Sequence, residues 1–212
     1  MPAVRSTSGT VAPADVDGRD RARPCGRIIG VTPDALVTTA RLSLRLHRES
    51  DLERLVAIYS RPDVACFLLE EPWTLESGAA HLERRLTRTG LDEPSGSLAL
   101  AVEREGLLIG AVSIWRTEQE RRTVEAGCTL DPVHRGNGYA TEAVTAVLQL
   151  AFERHDAHRA VAQMDARNDA SARLAKRVGM RQEAHFRSDF WSKGEWTDTV
   201  VFAVLASERT AS

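Results

Sequence analysis

Residues 131–142 read DPVHRGNGYATE, and within them Gly136 and Gly138 sit one residue apart behind Arg135, at the mouth of an alanine-rich amphipathic stretch. The first three or four N–H groups of a helix have no internal partner. Glycines accept positive φ and let a ligand approach the backbone closely. Together these features make an anion cradle. Each hydrogen bond to a charged group contributes roughly 1.5–3 kcal/mol net, and the helix dipole adds about 0.3–1 kcal/mol, so several amides together suffice for a pyrophosphate. The same residues also serve a plain strand-to-helix turn in which the glycines only permit the bend. As a third option they supply half of a dinucleotide fingerprint, with Asp165 ending the next strand where a ribose-binding acid would sit. Against that option, Thr141 stands where the last glycine belongs, and the strands before the loop form a meander.

Other side chains with chemistry lie close by in sequence. Cys128 offers a thiol, but no histidine is paired with it. Glu125 lies three residues earlier on the same strand, which puts it on the opposite face from Cys128 unless a bulge intervenes. His134 and His185 are alternative bases, and each reads equally well as a structural histidine. Asn168 reads as a helix N-cap. Ser171 follows it, one turn before Ala175 on the same helical face.

Composition narrows the setting. The 212 residues carry a net charge of −2, and no long basic run exists, so nucleic acid is not an expected partner. Lys176 and Lys193 are the only lysines, so nearly all positive charge is guanidinium. Cys25, Cys66 and Cys128 are far apart and odd in number, which gives neither a disulfide framework nor a CxxC metal pair. No metal is expected, and a reduced, cytoplasmic setting fits. No apolar run is long enough for a membrane span, and the first residues do not read as a secretory leader.

The elements that must position these groups follow from periodicity. Residues 1–38 read as a loosely ordered or docked N-terminal tail, with a short apolar patch at Ile28, Ile29 and Val31. The folded domain is expected over 39–208. A half-buried strand spans 41–46. Ser50 and Glu53 predict a capping box for the next helix, and Pro62 ends that helix or starts another. A further helix is expected from Thr74 as N-cap to a terminator at Gly90. Strands at 97–105, 107–115 and 122–131 come next. The longest helix, about 138–154, carries a stripe of Ala140, Ala143, Val144, Val147, Leu148, Ala151 and Phe152. A strand at 159–165, a helix from Asn168 to Gly179 and a hairpin turning at Ser192–Glu195 complete the chain. This is an α+β order with a mixed sheet.

At this point three separate pieces of the sequence resemble one family. VHRGNGYATEAV is similar to the acyl-CoA signature of the GNAT acetyltransferases, Arg/Gln-x-x-Gly-x-Gly/Ala, met here as Arg135, Gly138 and Ala140. RNDASARLAKRVGM resembles the second half of the superfamily pattern, and KGEWTDTVVFAVL resembles the RimJ/RimL-like subgroup. The resemblance implies a GNAT-type, mostly antiparallel central sheet of about six to seven strands with helices on both faces.

It also implies an acetyl-CoA-dependent transfer to a primary amine, with a peptide or protein N-terminal α-amine favoured. A small amine such as an aminoglycoside or polyamine, or an inactive CoA-binding module, is the alternative. By resemblance, backbone amides of Arg135, Gly136, Asn137, Gly138, Tyr139, Ala140 and Thr141 hold the CoA pyrophosphate. Cys128, Thr129 and Leu130 line the pantetheine arm, and Leu130 N–H faces the thioester carbonyl. Asn168 contacts pantetheine. Ala175 stands where many family members place an acidic tyrosine, which leaves Ser171 to assist the departing thiolate. Glu125 is the expected base. Glu70, Glu71, Trp73, Asp189 and Trp191 are expected at the acceptor wall, where acids attract a cationic amine and indoles stack on it. A homodimer is common among similar proteins.

Overall fold

The computed structural model describes residues 35–118 and 122–209. Its nine strands are β1 (Ala35–Thr38), β2 (Ser43–Leu46), β3 (Thr89–Gly90), β4 (Ser97–Arg104), β5 (Leu107–Glu118), β6 (Thr123–Leu130), β7 (Arg159–Asp165), β8 (Arg181–Ser192) and β9 (Glu195–Leu205). They form one sheet in the order β1-β2-β4-β5-β6-β7-β9-β8, with β3 paired to β4. The helices are α1 (Leu52–Tyr59), α2 (Pro62–Ala65), α3 (Leu75–Leu86), α4 (Tyr139–Arg154) and α5 (Asp169–Arg177). The fold is the expected mixed, mostly antiparallel α+β sheet. Its parallel pair is β6 with β7, bridged by α4.

The sheet is wider than the six or seven strands expected. The additions are β1 and β3, which alternation alone does not announce. Residues 35–38, placed in the expected tail, pair with β2. Thr89 and Gly90 pair with Leu98 and Ser97, so Gly90 extends the sheet while α3 already ends at Leu86. The rest of the expected tail, with Ile28, Ile29 and Val31, lies outside the described residues.

Helices cover both faces because β4 and β5 are buried on both. Leu98, Leu100, Val102, Val112 and Ile114 face the core built with α4 and α5. Ala101 and Leu108 face Leu55, Ile58, Tyr59 and Leu82 from α1 and α3. The α4 stripe is met at Ala143, Val144, Val147, Leu148 and Ala151, all buried.

Two caps sit where the sequence placed them. The Thr74 side chain accepts from Ser77 N–H at 3.1 Å, and Asn168 Oδ1 accepts from Ser171 N–H at 3.0 Å. The Ser50–Glu53 capping box does not form. A 3-10 turn at Glu49–Asp51 precedes α1, and the Asp51 carboxylate accepts from Arg48 N–H at 2.8 Å. Asp51 wins this place because it is buried against Arg45, with Arg45 Nη1 and Nη2 at 2.8 and 2.7 Å from its oxygens.

Candidate active site

Strands β6 and β7 pair only at Thr123–Arg159, Val124–Ala160 and Glu125–Val161. Beyond Glu125 they diverge, and the gap opens into a cleft of about 860 Å³. Ala126 to Leu130 form one wall, and Ala162, Gln163 and Met164 the other. The diverging edge is chemically incomplete. Asp131 N–H bonds to Ile109 C=O at 2.8 Å. An antiparallel ladder alternates, so odd residues of β6 exchange bonds with β5 while the N–H groups of Cys128 and Leu130 point to the open edge. An extended ligand chain finds there the partners that a further strand would use.

The glycine loop closes one end of this cleft. Gly136 and Gly138 both take φ of +80°, a conformation costing an L-residue with a side chain about 1–2 kcal/mol. A Cβ on Gly136 would meet nothing within 4 Å, so backbone angle, not crowding, explains the glycine there. The first helical bond of α4 runs from Glu142 N–H to Gly138 C=O at 3.0 Å. The amides of Tyr139, Ala140 and Thr141 precede that bond and are left for a ligand. Asn137 Nδ2 folds back on the carbonyls of His134 and Arg135, at 3.3 and 3.1 Å, and pins the loop without using its N–H groups. From behind, Arg41 donates to Asn137 C=O at 2.9 Å and pairs with Glu142 at 2.6 Å.

The loop differs from expectation at its first residue. Arg135 N–H bonds to Pro132 C=O at 3.1 Å, which takes that amide out of the cradle. The Arg135 guanidinium reaches across to α2 instead and donates to the Asp63 carbonyl at 3.1 Å. Arg54 braces the strand end, bonding the buried Asp131 carboxylate and Leu108 C=O.

Helix α5 supplies the opposite lip. Asn168, Ser171 and Ala175 all line the cleft. No side-chain hydroxyl other than that of Ser171 projects from this stretch of α5 into the cleft. Cys128 lines it too, but burial pushes its thiol up to about 12, so almost none is thiolate at neutral pH. That condition suits a contact for a ligand and opposes a nucleophile.

The remaining sequence-expected residues divide. Glu70 lines the cleft, 3.7 Å from His81 Nδ1. Glu71 is exposed and Trp73 is only 3% exposed, stacked between Tyr59 at 4.3 Å and His81 at 4.4 Å. Neither is among the lining residues, and Trp73 has no free face for an acceptor. Asp189 accepts from Thr199 N–H at 3.0 Å, Trp191 meets Trp196 edge-on, and both stay outside the cleft on β8. Glu125 also stays outside its lining. Its partner is Gln163 Nε2 at 3.3 Å, and burial raises its carboxyl above the usual range. Among the described residues His134 is the imidazole in the lining, whereas His185 pairs with Asp198 on the far hairpin at 2.8 Å.

Sequence reasoning missed part of the site. Ser113 and Trp115 of β5, Tyr59 of α1 and Phe67 just after α2, and Arg85 and Arg88 in and just beyond α3 line the same cleft. No motif marks them, because they arrive by strand pairing and helix packing from segments far apart in sequence.

Comparison with known proteins agrees with this geometry. Residues 41–181 match the family described as acetyltransferase (GNAT) domain. An uncharacterized N-acetyltransferase, YnaD of Bacillus subtilis, is 27% identical over 172 residues, covering 81% of this chain and 98% of its own. RimL, a ribosomal α-N-protein acetyltransferase solved with coenzyme A, superposes with a TM-score of 0.72 at 18% identity, over 81% of this chain and 98% of its own. The spermidine N-acetyltransferase of Vibrio cholerae, solved with CoA and spermine, superposes at 0.68 with 20% identity, over 80% and 98%. At these identities the two structures speak to the fold alone.

Proposed function

The chain belongs to the GNAT acetyltransferase family, and from that footing we propose that it moves an acetyl group from acetyl-CoA directly to the α-amine of a peptide or protein N-terminus. The splayed β6–β7 edge carries the reading. An extended pantetheine arm fits beside Cys128 and Leu130 as an added strand. The Gly136–Thr141 turn and the first amides of α4 fit its pyrophosphate, and Asn168, at the start of α5, lines the same cleft beside the arm. Leu130 N–H points to the same open edge, where it would polarise the thioester carbonyl. The neutral amine attacks that carbonyl, the C–S bond breaks, the proton lost by nitrogen passes through water to the departing thiolate, and the Ser171 hydroxyl supports that sulfur.

The choice of acceptor rests on the shortage of free bases. Asp63 and Glu70 are the carboxylates among the described residues of the cleft lining. Asp63 is engaged by Arg61 at 3.1 Å and Arg135 at 3.4 Å, and Glu70 faces His81 at 3.7 Å. Deprotonating a lysine-like amine of pKa ~10.4 at pH 7 costs about 4.6 kcal/mol, whereas an α-amine of pKa ~7.8 costs about 1 kcal/mol. Water relayed by His134 is enough for the second.

The test offers acetyl-CoA together with a serine-initiated peptide, an N-blocked lysine peptide and spermidine, and locates the acetyl group by fragment mass. Acetylation at the free α-amine, faster than on the other two, is expected. Faster turnover of spermidine or of the lysine peptide would overturn the α-amine assignment while leaving acetyl transfer intact.

A further inference from the structure

The α3 side of the cleft, which the proposed reading leaves to the acceptor, carries two arginines, where an acidic wall was expected from the sequence. Arg85 lies in the lining with its guanidinium over the rings of Tyr59 at 4.5 Å and Trp73 at 4.9 Å. Its Nη1 is buried and has no hydrogen-bond partner among the described residues. A buried donor left unmade costs roughly 1–3 kcal/mol, and more on a charged group; Nη1 itself is closed to solvent, so a ligand in the cleft meets the rest of the guanidinium. Arg88, one turn on, lines the same cleft and also a second recess of about 530 Å³, where Arg84 and Arg116 join it. No carboxylate among the described residues pairs with Arg85 or Arg88. Of the two acids in the lining, Asp63 is paired with Arg61 and Arg135, while Glu70 faces only His81, whose pKa burial lowers; two guanidinium groups therefore stand against one carboxylate without a cation, and the net charge on this wall is positive.

We infer that the acceptor carries an anionic group near its amine, held by Arg85 and Arg88, and that its class is a peptide with acidic residues directly after its N-terminus. This rests on the α-amine reading above. A guanidinium pair of this kind suits a carboxylate, which it binds through two parallel N–H···O bonds, and it repels a polycation.

The sheet sets the spacing. Arg88 C=O accepts from Ala99 N–H at 2.9 Å, Ala99 pairs with Ser113, and Ser113 pairs with Gly127 on the open strand. Three strand spacings, roughly 14 Å, separate Arg88 from Gly127, a span of about four extended residues. An acid within the first three or four residues therefore reaches the arginines while the amine sits at the β6 edge.

The test compares three serine-initiated peptides identical except that positions 2–4 are acidic, neutral or basic, with spermidine as a fourth acceptor. Wild type, Arg88→Gln and Arg88→Glu are used, and peptide binding to the CoA complex is titrated by calorimetry alongside kinetics. Arg88 is exposed, so these variants keep the fold; Arg85→Gln, checked by circular dichroism, is the second position. The acidic peptide is expected to exceed the basic one at least tenfold in kcat/KM. Arg88→Glu is expected to erase that preference through KM for the peptide, with KM for acetyl-CoA unchanged. Equal use of the three peptides, a preference for the basic peptide or spermidine, or an unchanged KM in Arg88→Glu would overturn the inference while acetylation of any peptide kept the α-amine reading. If no peptide is acetylated, the α-amine reading falls, and the titrations still decide the basic wall: tighter binding of the acidic peptide supports it, and equal binding removes it.

Discussion

Ser171 carries more weight than its neighbours because Ala175, one turn later on the cleft face of α5, has no group to offer a leaving thiolate. A serine does not ionise at neutral pH, so in the proposed reaction its contribution is a hydrogen bond to sulfur, made as the C–S bond breaks. Ser171→Ala is expected to lower kcat by roughly 10²-fold, the lower end for a group acting on the transition state, with little change in KM for acetyl-CoA. Steady-state kinetics on one peptide acceptor checks it; an unchanged kcat would remove Ser171 from the reaction. The residue scale is also where sequence and structure divide most sharply. Asn168 and Thr74 were legible as caps because a cap bonds three residues ahead and needs nothing else. Trp73, Asp189 and Trp191 were misplaced because their neighbours, Tyr59 and His81, Thr199, and Trp196, lie beyond any local pattern.

Between elements, the contact that sets the open edge is the approach of β5 to β6 at Gly110 and Leu130. A Cβ on Gly110 would lie 2.2 Å from Thr129 O and 2.8 Å from Leu130 Cα, both backbone atoms that cannot swing aside. Gly110→Ala must therefore part the strands at the residue whose N–H faces the cleft. Overpacking of this sort costs about 1–3 kcal/mol, and acetyl-CoA affinity should fall with it. Gly127→Ala is the control, since its Cβ would sit 3.5 Å from the Trp115 ring in ordinary contact. Urea midpoints and acetyl-CoA titrations of the two variants check the contrast, which fails if Gly127→Ala is as destabilised as Gly110→Ala. The same scale explains the two strands that periodicity did not announce. β1 and β3 are held by the ladder of a neighbour, β2 or β4, and a pairing partner leaves no period in the residues it recruits.

Across the whole molecule, a buried charge network joins the sheet to the first helical turn. Arg45 on β2 bonds Glu103 on β4 at 2.7 Å and Asp51 before α1 at 2.7 Å, with all three side chains largely out of water. Burial alone would raise the Asp51 carboxyl, but hydrogen bonds from Arg45 and Arg48 N–H outweigh it and hold the group well below the usual carboxylate range. A carboxyl with a depressed folded pKa stabilises the fold at pH values above its unfolded value, near 4. That contribution is lost as pH falls toward the folded value. Asp51→Asn is expected to cost roughly 3 kcal/mol at pH 7, where Arg45 loses half of its compensation. The gap between variant and wild type should narrow below pH 4, as the Asp51 carboxyl of the unfolded wild-type chain takes up a proton that the folded state does not yet bind. Denaturation midpoints of both proteins at pH 7, 4 and 3 check the sign, and a gap that widens in acid would contradict it.

The sequence by itself determined what short-range chemistry can write: the glycine turn at 136 and 138, the apolar stripe of α4, two helix caps, the order of strands and helices, and through three motifs the family. Each depends on residues within a few positions of one another, where backbone angle, hydrogen bonding and periodicity act directly. The tertiary structure alone decided how far β6 and β7 part, which side chains reach the gap, and which charges line its α3 side. Arg85, Arg88, Ser113 and Trp115 enter the site because strand register and helix packing bring distant segments together, and Trp73 leaves it because two rings close over its faces. Those outcomes follow from how the core packs, a sum over contacts that no single stretch of sequence contains.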